Sequence, residues 1–363
     1  MQQQRQQTTR LGASSTRRFP KRNVGIALAV TTTAAVPGSA PSASAGTGQT
    51  GHSYRGSVVT DVRTTEKFDF AAGEIPENIT VNPDGSTTLS MLGSCAVCQR
   101  THGAQLMHIS ASGHRTVLVT GQVGEAISGN TRGNDGTVYY SLWAPGNAAR
   151  NGVYKLLPDG TPRRIAALPA DTSPNGLAID PAGATLYIAD SLKGIIWSAP
   201  VSGGPATPWL TDAALAPVPT EALPIGANGV KFHNDALWVS NFNKGTLLRV
   251  PVTGTGAAGP VRLVAGGLPN IDDLSFLTPR SDVVFAAQNG SSSQNGPDRV
   301  VVIYPDGTYK PVLTSADGLA SPSATPVRGD RLYITDGGVP EPHDAKLQTA
   351  RINFAALHAN AAH

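Results

Sequence analysis

Six oxygen-bearing side chains recur along the sequence at intervals of 44 to 53 residues, each at the start of a β-prone run. They are Glu77, Asn130, Asn175, Asn228, Asp272 and Ser323. A further carboxylate, Asp273, directly follows the fifth of them. Carboxylate and amide oxygens without histidine or cysteine suit a hard divalent cation, calcium before magnesium. If the fold brings these residues together, they predict a metal site.

Clustered carboxylates also require a cation on electrostatic grounds. Glu77, Asp272 and Asp273 would repel one another, and their burial costs free energy unless a positive charge compensates them. The alternative explanation is local, because Asn-Gly is a common turn dipeptide and Asn or Asp often accepts backbone hydrogen bonds. Local turn chemistry does not explain why all six positions share one phase of a repeat.

The elements that must position these residues form a repeat with a period near fifty residues. Each unit continues through apolar strands and turns, as in "NGLAIDPAGATLYIADS" followed by "GIIWSAPVSGGPATPWL". Turn sequences such as Pro158-Asp159-Gly160 separate the last two strands of a unit. Four strands in roughly 40 to 50 residues are typical of a β-propeller blade. The sequence therefore predicts an all-β, six-bladed propeller over residues 58–356, with a pair of β-sandwiches as the alternative.

The sixth unit lacks a fourth strand of its own, because only an alanine-rich tail, 357–363, follows "KLQTARINF". The stretch "SVVTDVRTTEKFDF" before the first unit can supply that strand and close the ring with chain from both ends. The first strand of each blade lines the central channel, so the six polar residues are predicted to converge at one mouth. The glycine after Asn175 and after Asn228 is expected to let the backbone turn in tightly there.

The first 45 residues have the composition of an export signal. They carry six basic residues and no acidic one, then a mildly apolar stretch, 24–36, and a small-x-small cleavage sequence, Ala43-Ser44-Ala45. Arg17-Arg18 favours the twin-arginine route. A disordered basic arm is the alternative. We expect an exported, extracellular protein in which residues 46–57 form a linker.

Removal of this leader reverses the sign of the net charge. The full chain has 28 Lys and Arg against 25 Asp and Glu, a formal charge of +3, and the mature chain carries about −3. No basic patch remains to favour a nucleic-acid partner. No later apolar run approaches the roughly 20 residues that span a bilayer. We expect a monomer that acts on a small molecule.

The two cysteines, Cys95 and Cys98, lie in "GSCAVCQR" within the first unit. In an exported protein a local disulfide is the leading interpretation. A redox pair and a zinc site that includes His102 are the alternatives. The connection between the second and third strands of this unit, which contains both cysteines, is predicted to lie at the same mouth as the polar residues. There Arg100 is expected to contact substrate and His102 to act as a proton shuttle, or both simply belong to a solvated surface loop.

The repeat resembles a known superfamily, that of senescence marker protein (regucalcin), gluconolactonase and luciferin-regenerating enzyme, and more distantly the paraoxonases. The resemblance rests on Glu77 and on "PNGLAID", "GANGVKF" and "NIDDLSF", and it covers roughly residues 60–354. It implies a six-bladed propeller with calcium or another divalent cation at its axis, and often hydrolysis of lactones or related esters. It implies metal-ligand roles for Glu77, Asn228 and Asp272. Asn175 matches the additional axial asparagine that binds metal or contacts substrate.

Other positions extend this resemblance or depart from it. Asp273 stands where the paraoxonases have a second metal ligand, an asparagine, and Asn130 is expected to contact substrate at the same mouth. In regucalcin-like enzymes the glutamate opens a Glu-Gly-Pro-x-Trp run, whereas Glu77 is followed by Asn78 and Ile79. The paraoxonase histidine pair has no placed counterpart here.

The leading functional hypothesis is a secreted, metal-dependent lactonase or esterase. The ion would polarise the carbonyl, and Asp272, with Asp273 as second choice, would act as general base toward water. The sequence lacks a Gly-x-Ser-x-Gly elbow and a His-Glu-x-x-His zinc motif. One alternative is a non-catalytic extracellular ligand-binding propeller with a structural calcium ion. Another is a condensing enzyme of the strictosidine-synthase type, for which no clear general-base glutamate is found.

Overall fold

The computed structural model describes residues 56–93, 102–290, 296–339 and 342–361. Within these ranges the chain forms twenty-five β-strands, one α-helix and a few short 3-10 turns. The strands assemble into six antiparallel sheets. This confirms the predicted all-β, six-bladed propeller and disagrees with a pair of β-sandwiches.

The described chain begins with one strand, β1 (Val59–Lys67), and then forms three sheets of four consecutive strands. The first sheet contains β2 (Pro76–Val81), β3 (Thr87–Met91), β4 (Gly103–Ile109) and β5 (Arg115–Val123). The second contains β6 (Ala126–Arg132), β7 (Val138–Trp143), β8 (Gly152–Leu156) and β9 (Pro162–Ala167). The third contains β10 (Pro174–Ile179), β11 (Thr185–Asp190), β12 (Ile195–Pro200) and β13 (Thr207–Thr211).

Two further sheets repeat this pattern before the sixth. The fourth contains β14 (Ala227–His233), β15 (Ala236–Asn241), β16 (Thr246–Pro251) and β17 (Arg262–Ala265). The fifth contains β18 (Ile271–Thr278), β19 (Ser281–Gln288), β20 (Arg299–Ile303) and β21 (Tyr309–Thr314). The sixth contains β22 (Pro322–Ala324), β23 (Val327–Arg328), β24 (Arg331–Asp336) and β25 (Lys346–Ile352).

The first strand, β1, is the outermost strand of this sixth sheet. It pairs antiparallel with β25, from Val59 opposite Ile352 to Lys67 opposite Lys346. The sheet therefore contains strands from both ends of the described chain. Pairing with β1 covers the edge that β25 would otherwise expose.

We call the first strand of each sheet its inner strand; the six are β2, β6, β10, β14, β18 and β22. Each inner strand contacts the inner strands of the two neighbouring sheets, so the six form a closed ring around an axis. Their first residues lie side by side, as the close approach of Gly176 to the carbonyl group of Asn228 shows. We call the end of the ring where they begin the entry mouth, and the end where they finish the exit mouth.

The hydrophobic core of the described residues consists of six clusters, one between each pair of adjacent sheets. Trp238 and Leu247 of the fourth sheet, for example, pack against Leu274 and Val284 of the fifth. Every residue of β3 and of β15 is buried, whereas β13 at the outer edge has no buried residue. The central residues of the second strands are covered on both faces, so most of them are apolar or small rather than alternating with polar residues.

After β25 the chain forms the helix α1 (Phe354–Ala361). Leu357 is buried in the cluster between the fifth and sixth sheets, so residues 357–361, which we expected to be tail, end this helix. No helix in the described ranges has the length and apolar character that a membrane crossing requires. The predicted export signal, most of the predicted linker and the cysteine pair lie outside the described residues.

Candidate metal centre

Each inner strand changes its pairing register within its first residues. The irregularity lies between Ala227 and Val230 in β14, for example, and between Ile271 and Leu274 in β18. A β-bulge bends its strand and changes the direction of the side chains that it contains. Five of the six irregularities contain a residue of the predicted site, and the one in β6 lies just before Asn130. The local backbone therefore explains how polar side chains leave the sheets there.

The irregular positions define two layers of residues around the axis. The first layer contains Glu77, Ser128, Asn175, Asn228, Asp272 and Ser323. The second layer contains the residue that follows each of these, namely Asn78, Gly129, Gly176, Gly229, Asp273 and Ala324. A repeated hydrogen bond supports this equivalence. The backbone N–H of Gly129 donates to Ser141 Oγ (2.7 Å), as that of Gly229 donates to Ser240 Oγ (2.8 Å).

Asn130 lies outside both layers, one residue beyond Gly129. It is buried, and its amide donates to Ser90 Oγ (2.9 Å) in the neighbouring first sheet. The prediction that Asn130 shares the phase of Asn175 is wrong, because in this blade the asparagine follows the glycine instead of preceding it. Ser128 occupies the equivalent position. The substrate-binding role expected of Asn130 depended on that phase and stays a prediction, while its amide joins two blades through Ser90.

The second-layer glycines bring neighbouring inner strands close together. None of Gly129, Gly176 and Gly229 has a positive φ, so a left-handed backbone conformation is not the reason for glycine at these positions. A Cβ atom on Gly129 would lie 2.2 Å from the carbonyl oxygen of Asn175, and one on Gly176 would lie 2.6 Å from that of Asn228. Glycine is therefore needed for close backbone approach.

Side chains from different blades meet at Asp272 in the first layer. Asn228 Nδ2 donates to Asp272 Oδ1 (2.9 Å), and Asn289 Nδ2 donates to Asp272 Oδ2 (3.3 Å). Burial raises the pKa of Asp272 well above its ordinary value, and the nearby charge of Glu77 raises it further. The charge of Glu77 on the first blade thus acts on Asp272 of the fifth blade.

Glu77 is half-buried beside these groups. Its carboxylate accepts no hydrogen bond from any residue in the described ranges. Burial raises the pKa of Glu77 to about 8, and the charge of Asp273 contributes to the same rise. A carboxylate in this environment keeps its charge only at a free-energy cost, which a bound cation removes.

Asp273 belongs to the second layer, and only one of its two carboxylate oxygens is paired, because its buried Oδ1 has no hydrogen-bond partner among the described residues. Its Oδ2 accepts hydrogen bonds from Asn78 Nδ2 (2.6 Å) and Lys231 Nζ (2.5 Å). Among the described residues, no group of three or more His, Cys, Asp or Glu side chains is arranged to hold a metal ion. The metal-ligand and general-base roles predicted for Asp273 stay predictions, although its Oδ2 is already paired with a lysine. The adjacent ammonium group supplies the positive charge that a metal ion would supply.

The other predicted site residues have more varied positions. Asn175 lies in the first layer, partly exposed at the entry mouth, and its Nδ2 is 3.3 Å from Ser191 Oγ. His102 is exposed just before β4, close to Gly73, whose Cβ would lie 2.7 Å from that of the histidine. Arg100 lies outside the described residues. The roles assigned to His102 and Arg100 stay predictions.

The sequence analysis missed three side chains that lie at or near the axis in the structure: Asn78, Lys231 and Asn289. Asn78 has a recognisable pattern, because it directly follows a first-layer carboxylate just as Asp273 does. Asn289 is the polar residue after an apolar strand, a weaker pattern that many loops share. Lys231 has no pattern of its own, since a single lysine within "NGVKFH" is typical of an outward-facing strand position.

The first layer offers a suitable set of donor atoms for a hard divalent cation. Glu77 and Asp272 supply carboxylate oxygens, and two charges of this sign match one divalent ion. Asn228 uses its amide nitrogen for the bond to Asp272, which leaves its carbonyl oxygen as a donor atom. Asn175 supplies a second amide at the same level. Neutral and charged oxygens in this proportion suit calcium better than zinc or copper.

The sheets and the axial residues define this chain as a six-bladed β-propeller with a candidate cation site at its entry mouth. The sequence matches no protein-family model, and no curated protein matches it significantly. The structure is similar to that of an auxiliary nutrient binding protein from Bacteroides ovatus, with a TM-score of 0.60 and 11% identity. That similarity covers 82% of this chain and 78% of the other.

Two further similarities concern the superfamily that the sequence resembles. Regucalcin from Agrobacterium tumefaciens, a calcium-binding protein, has a TM-score of 0.58 and 16% identity over 80% of this chain and 93% of its own. A candidate gluconolactonase has a TM-score of 0.57 and 16% identity over 81% of this chain and 92% of its own. These similarities confirm the predicted resemblance at the level of the fold.

Gly229→Ala is expected to destabilise the protein by about 1–3 kcal/mol, the usual cost of overpacking. The new Cβ would lie 2.6 Å from Asp273 Oδ1 and 2.8 Å from the carbonyl oxygen of Asp272, so the Asp273 carboxylate and the Asp272 backbone must move. Chemical denaturation measures the effect. Gly254→Ala is the matched control, because a Cβ there meets no atom within 4 Å. Equal stability of the two variants would contradict close packing at the axis.

Proposed function

We propose that this chain is an exported, divalent-cation-dependent hydrolase that acts on a lactone or a related ester. The observation that carries the proposal is the half-buried Glu77 carboxylate. It has no hydrogen-bond donor among the described residues, and it lies close enough to Asp272 to raise the pKa of that residue. The propeller fold, shared with a regucalcin and a candidate gluconolactonase, supports the same class of function.

Glu77, Asp272 and the amide oxygens of Asn228 and Asn175 would hold the cation. A divalent cation at this site supplies Lewis-acid polarisation of a substrate carbonyl group. Asp272 accepts a proton from the attacking water, because its carboxylate lies at the site and its two asparagine donors fix its orientation. Asn175, which is open to the entry mouth, donates to a substrate oxygen and orients the ring. Asn289 positions Asp272 without contacting the substrate.

A panel of γ- and δ-lactones and aryl esters tests this proposal, with a pH-indicator assay for acid release. We expect turnover of at least one lactone in calcium, magnesium or manganese, and a loss of about 100-fold or more in excess chelator. The leader-free chain, residues 46–363, serves as the enzyme. Cation-dependent thermal stabilisation without turnover of any substrate would contradict a hydrolase and favour the alternative function.

That alternative is a ligand-binding propeller with a structural ion. One observation favours it: the two axial layers contain no histidine or cysteine, and their carboxylates come from two blades that the sixth blade separates. An ion that joins the first and fifth blades would hold the ring closed. The similarity to an auxiliary nutrient binding protein of the same fold supports this possibility.

A further inference from the structure

A lysine reaches the axis between the two mouths of the ring. Lys231 lies on β14, two residues after Gly229, and its Nζ is 2.5 Å from Asp273 Oδ2. Its side chain is 27% exposed, against 8% for that of Asp273. The same lysine lines a cavity of about 1190 Å³ at the exit mouth. The side chain therefore extends from the exit mouth to the second layer.

The second layer has room for this ammonium group because most of its residues are small. Four of its six positions are occupied by Gly129, Gly176, Gly229 and Ala324. The two remaining positions hold Asn78 and Asp273, and their side chains are hydrogen-bonded to each other (2.6 Å). Lys231 and Asn78 both donate to Asp273 Oδ2, so this one oxygen joins the first, fourth and fifth blades.

The pairing of Lys231 with Asp273 also determines how the negative charges at the axis are distributed between the two layers. Glu77, Asp272 and Asp273 carry three negative charges when ionised. Lys231 compensates the one in the second layer, which is buried and would otherwise be unpaired. The first layer then has two carboxylates, the charge of a single divalent cation. Without the lysine, three carboxylates from two blades would act together on any cation at the axis.

We propose that Lys231 is an internal counter-ion that withholds Asp273 from the metal centre and limits the axis to one divalent cation. The proposal rests on the cation site proposed above, but the pairing with Asp273 does not depend on hydrolysis. Ligand charge strongly tunes calcium affinity. Lys231 therefore sets both the affinity and the number of ions, and it acts through Asp273 without touching substrate.

Lys231→Met tests this role, because methionine keeps the length of the apolar stem and removes the charge. In chelator we expect a melting temperature about 5–10 °C lower than that of the unchanged protein, since Asp273 is left buried and unpaired. Adding calcium should restore the melting temperature. Isothermal titration calorimetry should show calcium affinity at least about tenfold higher than in the unchanged protein, because Asp273 becomes available to the ion.

The double variant Lys231→Met/Asp273→Asn is the decisive comparison. It should recover the melting temperature of the unchanged protein in chelator and bind calcium within about threefold of it, because both charges are gone. Lys193→Met, which breaks the exposed pair with Asp171, is the matched control and should change neither quantity appreciably. A double variant as unstable as Lys231→Met, or a single variant with unchanged affinity, would overturn the proposal.

The design separates this proposal from the proposed function. If the unchanged protein binds no divalent cation, the cation-dependent hydrolase fails. Recovery of stability by Asp273→Asn in the Lys231→Met background would still support the counter-ion role, and absence of recovery would refute it. If the unchanged protein binds calcium but Lys231→Met binds it with the same affinity and stoichiometry, only the counter-ion role fails.

Discussion

Asp272→Asn and Glu77→Gln are each expected to weaken calcium binding by about 100-fold or more, because the number of charged ligands tunes calcium affinity over several decades. Each change preserves the size of the side chain and removes one of the two first-layer charges. Isothermal titration calorimetry measures the dissociation constants. Element analysis of the purified variants should show reduced metal content, and hydrolysis of the best lactone should fall in parallel.

Asp171→Asn is the matched control for these variants. Asp171 is exposed three residues before β10 begins, and it pairs with Lys193. Its replacement removes the same charge near the entry mouth without touching either axial layer. We expect calcium affinity to change by no more than about twofold, because an exposed charge is well screened. Unchanged metal stoichiometry in both axial variants would show that Glu77 and Asp272 are not the ligands.

In excess chelator, the melting temperature is expected to fall as the solution is brought from about pH 5 to about pH 8. Burial raises the pKa of Glu77 from 4.5 to about 8, and it raises the pKa of Asp272 in the same direction. The folded protein therefore binds these protons more tightly than the unfolded chain does. The stability that they provide is complete below about pH 4.5 and is lost as the pH approaches 8.

A saturating divalent cation should reverse this loss at the higher pH. Calcium at 100 times its dissociation constant stabilises the folded state by about 2.7 kcal/mol. Asp336 adds a pH dependence of the same sign, because burial raises its pKa to about 8. Glu77→Gln isolates the share of Glu77, since it should reduce the pH dependence, leave the shares of Asp272 and Asp336, and abolish most of the recovery in calcium. A melting temperature that rises with pH in chelator would contradict the raised pKa of Glu77.

The propeller could be predicted from the sequence because each blade repeats the same physical problem. An inner strand must begin near the axis and continue as an apolar run, so Asn175, Asn228 and Asp272 each stand just before such a run. The central residues of the second strands, buried on both faces, are mostly apolar or small and easily recognised. The repeat phase was predicted wrongly at Asn130, because the glycine that permits close backbone approach precedes this asparagine. The position of that glycine, and not the presence of an asparagine, identifies the equivalent residues of the blades.

The second layer could not be predicted in this way. Asp272 and Asp273 are identical neighbours, and only the register change in β18 decides which one enters the first layer. Lys231 is two residues from a glycine that leaves space for it, but its partner lies 42 residues away on another blade. Contacts across the ring depend on how six strands meet, which no local pattern encodes.

The central claim is that Glu77 and Asp272 hold one divalent cation at the entry mouth, and anomalous scattering from a manganese-soaked crystal tests it most directly. We predict a single strong anomalous peak on the axis, within about 2.0–2.6 Å of carboxylate oxygens of both residues. The peak should disappear in Asp272→Asn crystals treated in the same way. An axis without a peak, with the two carboxylates holding no ion, would contradict the account.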